Sequence, residues 1–252
     1  MFSDRGVSET LGFVFVFALI VSTTGLVYTL GTENLRDVRD RERLNNAERA
    51  FDVMAENMND LQRRSVNSRS TEIKLSDAQI YHGDPVTMNV TGEVTGGGTA
   101  SFSFEREITP IVYRGVPTEE TRLVYLNGAV IRDQRDSAVM VREPDYRLTS
   151  EAMVLPVIVT RPLDDPERVG GSTTVLVRGT TGFAKRGIIV DSREYDVTIN
   201  VTTPRANAWR AYLVAKPAVT CPAATNNDTF VSCSFTSDRV YISRSFVNVE
   251  FE

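Results

Sequence analysis

The sequence predicts an α+β protein, in which a long N-terminal helix, transmembrane and then amphipathic, precedes an antiparallel β-sandwich-like domain with a short helix. Three observations predict this class. Residues 11–30 carry no charge, and residues 32–67 contain neither proline nor glycine, so both stretches favour helix. From residue 70 onward the apolar residues alternate with polar ones, which is typical of strands. We therefore predict a transmembrane helix at 7–31, an amphipathic helical stem at 32–69 and a β-rich domain at 70–252.

The uncharged run at 11–30 is the core of the predicted membrane helix. Its twenty residues would extend about 30 Å as an α-helix, which matches the hydrocarbon core of a bilayer. A cleaved secretory signal is the alternative, but the apolar core of such a signal is usually shorter and ends at a small-x-small site, which this run lacks. Small and hydroxyl residues interrupt the run and favour close packing against a neighbouring helix. They are Gly12, Ser22, Thr23, Thr24, Gly25 and Thr29.

The predicted stem at 32–69 carries one apolar stripe. Its members recur at spacings of three and four residues, so they lie on one face of a helix. The stripe could form a coiled coil with a second helix or dock on the downstream domain. We favour docking for its second half, with Phe51 and Met54 packed on the β domain. The stripe consists of Leu44, Ala47, Phe51, Met54, Met58 and Leu61.

The strongest local signal in the β-rich domain is Asn127-Gly128, which lies between two strand-like runs. Such a pair favours a two-residue type I′ hairpin, because both residues tolerate positive φ. A short helix is predicted at 204–216, where Pro204 suits the first turn and Trp209 lies on an apolar face. Strands are predicted around Val86–Val90 and Phe102–Phe104 and at 138–142, 153–160, 173–177, 194–202, 230–235, 240–243 and 246–250.

Cysteine and charge content limit the classes of site that the chain can form. Cys221 and Cys233 flank a turn-rich loop and are a candidate disulfide, with two buried reduced thiols as the alternative. Two cysteines and one histidine cannot supply a closed zinc site, so we expect no metal. A net charge of −5 without a basic patch gives no reason to expect a nucleic-acid partner.

Three Asn-X-Thr sequons are candidate glycosylation sites, at Asn89, Asn200 and Asn227. The first two lie where strand propensity alone would place asparagine and threonine, so they carry little weight. Asn227 lies in the most loop-like context and is the best candidate. Its modification would require the β domain to face the outside of the cell.

The sequence offers little support for an enzyme, and we expect none. His82 is the only histidine and lies in a strand-end or turn context rather than beside a candidate nucleophile. Asp164, Asp165 and Glu167 lack the spaced ligands of a calcium loop, so a solvated loop is the better interpretation. No Walker A motif or dinucleotide fingerprint is present, and no cofactor is expected.

The N-terminus carries the motif Arg5-Gly6-Val7-Ser8-Glu9 immediately before the apolar run. This arrangement resembles the type III, prepilin-type signal of archaeal type IV pilins. The resemblance implies a leader peptide at 1–6, cleavage after Gly6 by a prepilin-type peptidase, and a mature protein that begins at Val7. It also makes Glu9 a candidate assembly contact. Glu9 would be the third mature residue, whereas the bacterial pattern has a glutamate at the fifth.

Further motifs along the chain resemble a haloarchaeal family of type IV pilin-like surface proteins that has no assigned activity. The resemblance implies a structural pilin or pilin-like subunit that is anchored by its N-terminal helix and displays the β domain, for filament assembly or adhesion. Its implied partners are membrane lipid, the peptidase, and further copies or other pilin-like subunits. The alternative is a non-polymerising, membrane-anchored surface module for binding or sensing. The motifs lie at 44–51, 127–132, 141–144 and 203–209.

The charges around the membrane helix disagree about its orientation. Arg5 marks a cytoplasmic N-terminus, whereas four arginines between 36 and 43 follow the span and favour the reverse by count. We choose the orientation with a cytoplasmic N-terminus. The resemblance, the cysteine pair and the sequons all favour it. We therefore expect a single-pass protein of the cell membrane with its C-terminal domain outside the cell.

Overall fold

The computed structural model describes residues 5–64, 66–96, 98–115, 121–135, 137–163, 168–181, 188–223 and 226–252. The predicted loop residues Gly97, Asp164, Asp165 and Glu167 lie outside them. The chain divides into two compact units, Met1–Asn46 and Ala47–Glu252. The boundary falls inside the predicted stem, because the apolar stripe becomes fully buried from Ala47 onward.

The N-terminal unit contributes most of a single helix, α1, which spans Arg5–Arg63. No proline interrupts this stretch, and its one long apolar run passes directly into polar, helix-favouring sequence. Helix α1 and the β-rich domain that follows confirm the predicted α+β class. The side chains of residues 5–9 and 29–37 are not among those that the structure describes.

The second unit contains sixteen described strands and the short helix α2, Ala206–Val214. The strands are β1 Ser68–Lys74, β2 Ala78–His82, β3 Val86–Val94, β4 Ser101–Ile108, β5 Ile111–Gly115, β6 Thr121–Leu126, β7 Ala129–Gln134, β8 Ser137–Arg142, β9 Arg147–Leu148, β10 Met153–Pro162, β11 Arg168–Gly171, β12 Thr174–Thr181, β13 Ile188–Asp191, β14 Tyr195–Thr202, β15 Phe230–Ser237 and β16 Val240–Phe251. The sequence predicts none of β1, β2, β5, β9, β11 and β13. Most of these are too short to show an alternating pattern, and pairing with neighbours defines them instead.

The strands form three sheets. Sheet A has the order β1-β12-β16-β10-β9, with β13 also paired to β16. Sheet B has the order β11-β2-β5-β6-β7-β8, and sheet C the order β15-β14-β3-β4. The predicted hairpin is confirmed: β6 and β7 are joined by Asn127 and Gly128, whose φ angles are +49° and +84°.

Two features of sheet A differ from the sequence prediction. Strands β10 and β16 pair in parallel over the whole of β10, whereas all other described pairs are antiparallel. Strand β16 is also continuous, although the polar Arg244 and Ser245 suggest two separate strands at 240–243 and 246–250. It remains extended there because its backbone pairs with β10 throughout this stretch.

The main hydrophobic core brings together residues from all three sheets and from α2. Trp209, Tyr212 and Leu213 are buried on one face of α2, which confirms the predicted covering helix. Pro204 lies before the helix rather than in its first turn, because Arg205 is the N-cap residue. The backbone N–H of Arg205 donates to Thr203 Oγ1 at 3.3 Å, so the chain turns before the helix begins.

Candidate functional site

The first candidate site is an apolar segment of α1. Thr10–Tyr28 is long and apolar enough to cross a membrane, with a mean hydropathy of 2.2, and none of it is buried within the protein. It is the one such segment among the described residues. Phe15 and Tyr28 are each 72 % exposed, as large apolar side chains rarely are in water. By length and composition the segment is therefore a candidate membrane span.

The small and hydroxyl residues of this segment differ in what they offer a neighbouring helix. Thr23 Oγ1 donates to the carbonyl of Leu19 at 2.9 Å, with Ile20 O at 3.0 Å, so its hydroxyl is satisfied within its own helix. A Cβ added at Gly12 or Gly25 would meet nothing within 4 Å. These two glycines leave open helix surface where another backbone could approach closely.

The predicted processing residues lie at the start of α1. Arg5, Gly6 and Val7 form its first turn, and Glu9 follows in the second. The side chain of Glu9 is outside the described part of the structure. The cleavage site and the assembly contact therefore remain predictions.

The second candidate site is the C-terminal part of α1, which docks within the Ala47–Glu252 unit. Phe51, Met54 and Leu61 are each fully buried, which confirms the predicted docking. The Phe51 ring meets Tyr113 edge-on, with centroids 6.3 Å apart. Gly179 of β12 allows the helix to approach, because a Cβ there would lie 2.9 Å from Leu61 Cδ1.

A row of ion pairs flanks the docked part of α1. Arg132 of β7 pairs with Glu48, and Arg142 of β8 pairs with Glu56 at 2.9 Å. The second arginine also donates from Nη1 to the backbone carbonyl of Asp52 at 3.1 Å. These arginines are not among the docking residues that the sequence predicts. Their sequence signal is the acidic row at positions 48, 52 and 56, which recurs every four residues along one helix face.

Polar contacts also secure the C-terminal end of α1. Asp145 accepts from Arg63 Nη2 at 2.6 Å and from Asn59 Nδ2 at 2.9 Å. Gln62 Nε2 donates to Ser243 Oγ of β16 at 2.6 Å, and both side chains are buried. These contacts fix the rotation of the helix about its axis, because buried polar groups require a partner in one geometry.

The third candidate site is the loop that the two cysteines flank. The structure joins Cys221 and Cys233 by a disulfide that closes this loop onto β15. Cys233 is 1 % exposed and lies in the main core. The disulfide therefore anchors a surface loop to a rigid strand.

The three sequon asparagines differ in accessibility. Asn89 and Asn200 are directly paired in the two middle strands of sheet C, and both are half-buried. Asn89 Nδ2 donates to Glu105 Oε2 at 2.8 Å, so this amide is already engaged. Asn227 is exposed, and its Oδ1 accepts from the backbone N–H of Thr229 at 2.9 Å. Of the three, Asn227 is therefore the most accessible to modification.

His82 ends β2, but its ring is half-buried rather than at the surface. It stacks on Phe251 of β16 with centroids 4.4 Å apart and an interplanar angle of 23°. Burial lowers the pKa of His82 from 6.5 to about 4, and its Nε2 has no hydrogen-bond partner in the described part of the chain. The histidine is therefore neutral at pH 7 and serves as part of an aromatic contact.

A cleft of about 840 Å³ opens beside His82 and is lined mainly by polar side chains. Arg122, Arg168, Arg205 and Asp133 are among its lining residues. The Nε atom of Arg205 lies 2.9 Å from Asp133 Oδ2, and this pair is largely buried. The size of the cleft suits a small polar ligand.

Candidate metal ligands are predicted nowhere in the chain, and the geometry bears on them only where the structure describes residues. Within the described residues no group of three His, Cys, Asp or Glu side chains is arranged to hold a metal ion. The acidic residues Asp164, Asp165 and Glu167 lie outside that part of the chain.

Comparison with known proteins identifies one family for residues 5–250. No curated protein and no solved structure matches it. The model of a family of unknown function, DUF7289, matches residues 5–250 and so covers the apolar segment, the docked helix and the β domain. The chain therefore belongs to this family of unknown function, DUF7289.

Proposed function

We propose that the protein is a membrane-anchored surface protein whose N-terminal helix lies in the lipid bilayer. The exposed apolar segment Thr10–Tyr28 carries the proposal, because nothing in the Met1–Asn46 unit buries it. Exposure of apolar surface to water costs about 25 cal/mol per Å², and lipid removes this cost. A helix also satisfies its own backbone hydrogen bonds, as a bilayer requires.

The finer proposal is that the protein is a structural pilin or pilin-like subunit. Three observations support it: the prepilin-type motif at Arg5-Gly6-Val7, the open helix surface at Gly12 and Gly25, and the docked second half of α1. Because the stripe beyond Ala47 is already buried, the exposed apolar segment, rather than the stripe, is available to contact lipid, further copies or other pilin-like subunits.

We place the β domain outside the cell. Two features support this orientation, namely the disulfide between Cys221 and Cys233 and the exposed sequon at Asn227. Disulfides persist in oxidising environments, and N-glycosylation modifies surface loops of exported domains.

The mature N-terminus tests the pilin-like proposal. The protein purified from its native membrane should begin at Val7 and retain the apolar segment, as measured by intact mass and N-terminal sequencing. Gly6→Val should block cleavage, because a branched side chain does not fit a subsite selected for a small residue. Gly12→Ala lies beyond the cut and serves as the control that is still processed. An intact Met1, or loss of the whole apolar segment, would rule out this proposal.

The second candidate function is a non-polymerising, membrane-anchored binding or sensing module. The polar cleft beside His82 favours it, because a purely structural subunit has no need of such a cleft. Sedimentation of the native protein separates the two functions. Filaments that survive removal of the membrane support the pilin-like subunit, and detergent-soluble single subunits support the binding module.

A further inference from the structure

Three arginines meet at the margin of the main core, above two phenylalanine rings. The guanidinium carbons of Arg161 and Arg244 lie 4.2 Å and 5.0 Å from the centroid of Phe246. The guanidinium carbon of Arg106 lies 5.0 Å from the centroid of Phe104. We call Arg106, Arg161 and Arg244 the arginine cluster.

The strand pattern explains why the cluster lies where two sheets meet. Arg244 and Phe246 follow Val240 and Ile242 at every second position of β16, so all four side chains lie on the core-facing side of sheet A. Arg161 belongs to the neighbouring strand β10, and Arg106 belongs to β4 of sheet C. Each of three strands, β4, β10 and β16, therefore contributes one arginine to the cluster.

The positive charge of the cluster is not paired with a carboxylate in the part of the chain that the structure describes. Among the described residues, neither Arg106 nor Arg161 nor Arg244 forms an ion pair, whereas other arginines of the same unit pair with carboxylates. The Nε atom of Arg244 is buried and has no hydrogen-bond partner among the residues that the structure describes. Burial, followed by the charges of the two other arginines, lowers the pKa of Arg244. The three guanidinium groups thus repel one another and are only partly satisfied.

Two carboxylates lie near the cluster without neutralising it. Glu105 and Glu107 line a depression of about 360 Å³ together with Arg106 and Arg161. Alternation along β4 places both glutamates on the strand face opposite Arg106. Glu105 already accepts a hydrogen bond from Asn89. Neither glutamate forms an ion pair with the three arginines within the described residues, so the guanidinium groups retain donors for an external acceptor.

We propose that the arginine cluster binds a multivalent oxyanion, phosphate or sulfate, either free or as an ester of a larger ligand. A guanidinium presents a planar fork of N–H donors that matches the oxygens of such anions. The phenylalanine rings attract the guanidinium groups but accept none of these charge-assisted hydrogen bonds. One anion with two negative charges would relieve the mutual repulsion and provide acceptors for the donors, including the buried Nε of Arg244.

The test uses the full-length protein in detergent, with the thermal midpoint Tm measured at pH 7.5 and constant ionic strength. Replacing chloride by saturating phosphate or sulfate should raise the Tm by about 5 °C, as expected for a ligand that binds only the folded state. Arg161→Gln, in β10, should abolish this shift in Tm. Arg106→Gln, in β4, should abolish it as well. Arg210→Gln, at an exposed position of α2, is the matched control that should retain the shift.

Titration calorimetry with inorganic phosphate, glucose 6-phosphate and glycerol 3-phosphate distinguishes the sources of the anion. Tighter binding of the sugar ester indicates a glycan-type ligand, tighter binding of the glycerol ester indicates a lipid headgroup, and equal binding indicates the free ion. The proposal is overturned if neither phosphate nor sulfate shifts the Tm beyond chloride. It is also overturned if Arg161→Gln and Arg106→Gln keep the full shift, because the stabilisation would then be a general salt effect.

Discussion

Asn127 Oδ1 accepts a hydrogen bond from the backbone N–H of Ile158 at 2.7 Å, which ties the turn of the β6–β7 hairpin to strand β10. The same side chain donates from Nδ2 to the hydroxyl of Tyr146. Asn127 is only 2 % exposed, so this turn lies inside the protein rather than at its surface. One residue therefore satisfies the positive φ of the turn and connects sheet B to sheet A.

Substitution of Asn127 should separate its two roles. Asn127→Ala should lower the free energy of unfolding by about 2–4 kcal/mol, because it leaves the Ile158 N–H without a partner and because alanine tolerates positive φ less well than asparagine does. Asn127→Gly removes the side-chain hydrogen bonds, but glycine still permits a positive φ. The free energy of unfolding should therefore fall by less than it does in Asn127→Ala. Denaturant titration of the full-length protein in detergent measures both. A glycine variant as stable as the wild type would show that the side-chain hydrogen bonds contribute nothing.

The docked helix offers a matched pair of positions two residues apart. Phe51 is 0 % exposed and Val53 is 54 % exposed. Phe51→Asp should cost about 4 kcal/mol or more, because it leaves a cavity and buries an unpaired charge. Val53→Asp should cost about 1 kcal/mol or less, as expected at a surface position. Thermal melts at low protein concentration compare the two. Equal midpoints would mean that the apolar stripe serves a partner helix instead of the β domain.

His82 should make the stability depend on pH in a defined window. Its pKa in the folded protein is about 4, below the ordinary value of 6.5. Between these values the unfolded chain binds the proton more readily than the folded protein does. The contribution of neutral His82 to the free energy of unfolding is therefore complete above pH 6.5 and is lost as the pH falls toward 4. His82 is the only histidine, so His82→Gln removes all histidine titration.

The difference in Tm between the wild type and His82→Gln measures this effect. Across pH 7–8 the difference should be constant, and below pH 6.5 it should move steadily in favour of the variant. Carboxylates titrate in both proteins, so their effects on the Tm largely cancel in the difference. A difference that stays constant down to pH 4.5 would show that His82 is as accessible to protons in the folded protein as in the unfolded chain.

The disulfide should be present in protein isolated from its native surface. Alkylation before reduction should label neither Cys221 nor Cys233, and alkylation after reduction should label both. The double substitution Cys221→Ser and Cys233→Ser should lower the free energy of unfolding by about 3 kcal/mol on the chain-entropy model. A reductant should destabilise the wild type but not the double variant, which provides the control. Labelling of both thiols without reductant would contradict the disulfide and weaken the external placement of the β domain.

Several elements of the fold could be predicted because neighbouring residues determine them. The uncharged run at 11–30 and the absence of proline and glycine at 32–67 predict α1, and Asn127-Gly128 predicts the hairpin turn. The apolar spacing of the stem predicts which helix face is buried, and the structure buries Phe51 on that face. Periodicity, turn chemistry and hydropathy act over a few residues, so these signals can be recognised in the amino-acid sequence alone.

Other features depend on which distant segments meet, and local patterns carry no information about that choice. The sequence by itself determined a long helix with an apolar segment, followed by alternating strands and a short covering helix. Only the tertiary structure decided that β10 and β16 pair in parallel, that Gln62 bonds Ser243 across 181 residues, and that Arg106, Arg161 and Arg244 converge. The physical reason is that strand pairing and side-chain contacts between distant segments are selected by the joint burial of many apolar faces. That burial is a property of the folded chain as a whole and not of any short window of its sequence.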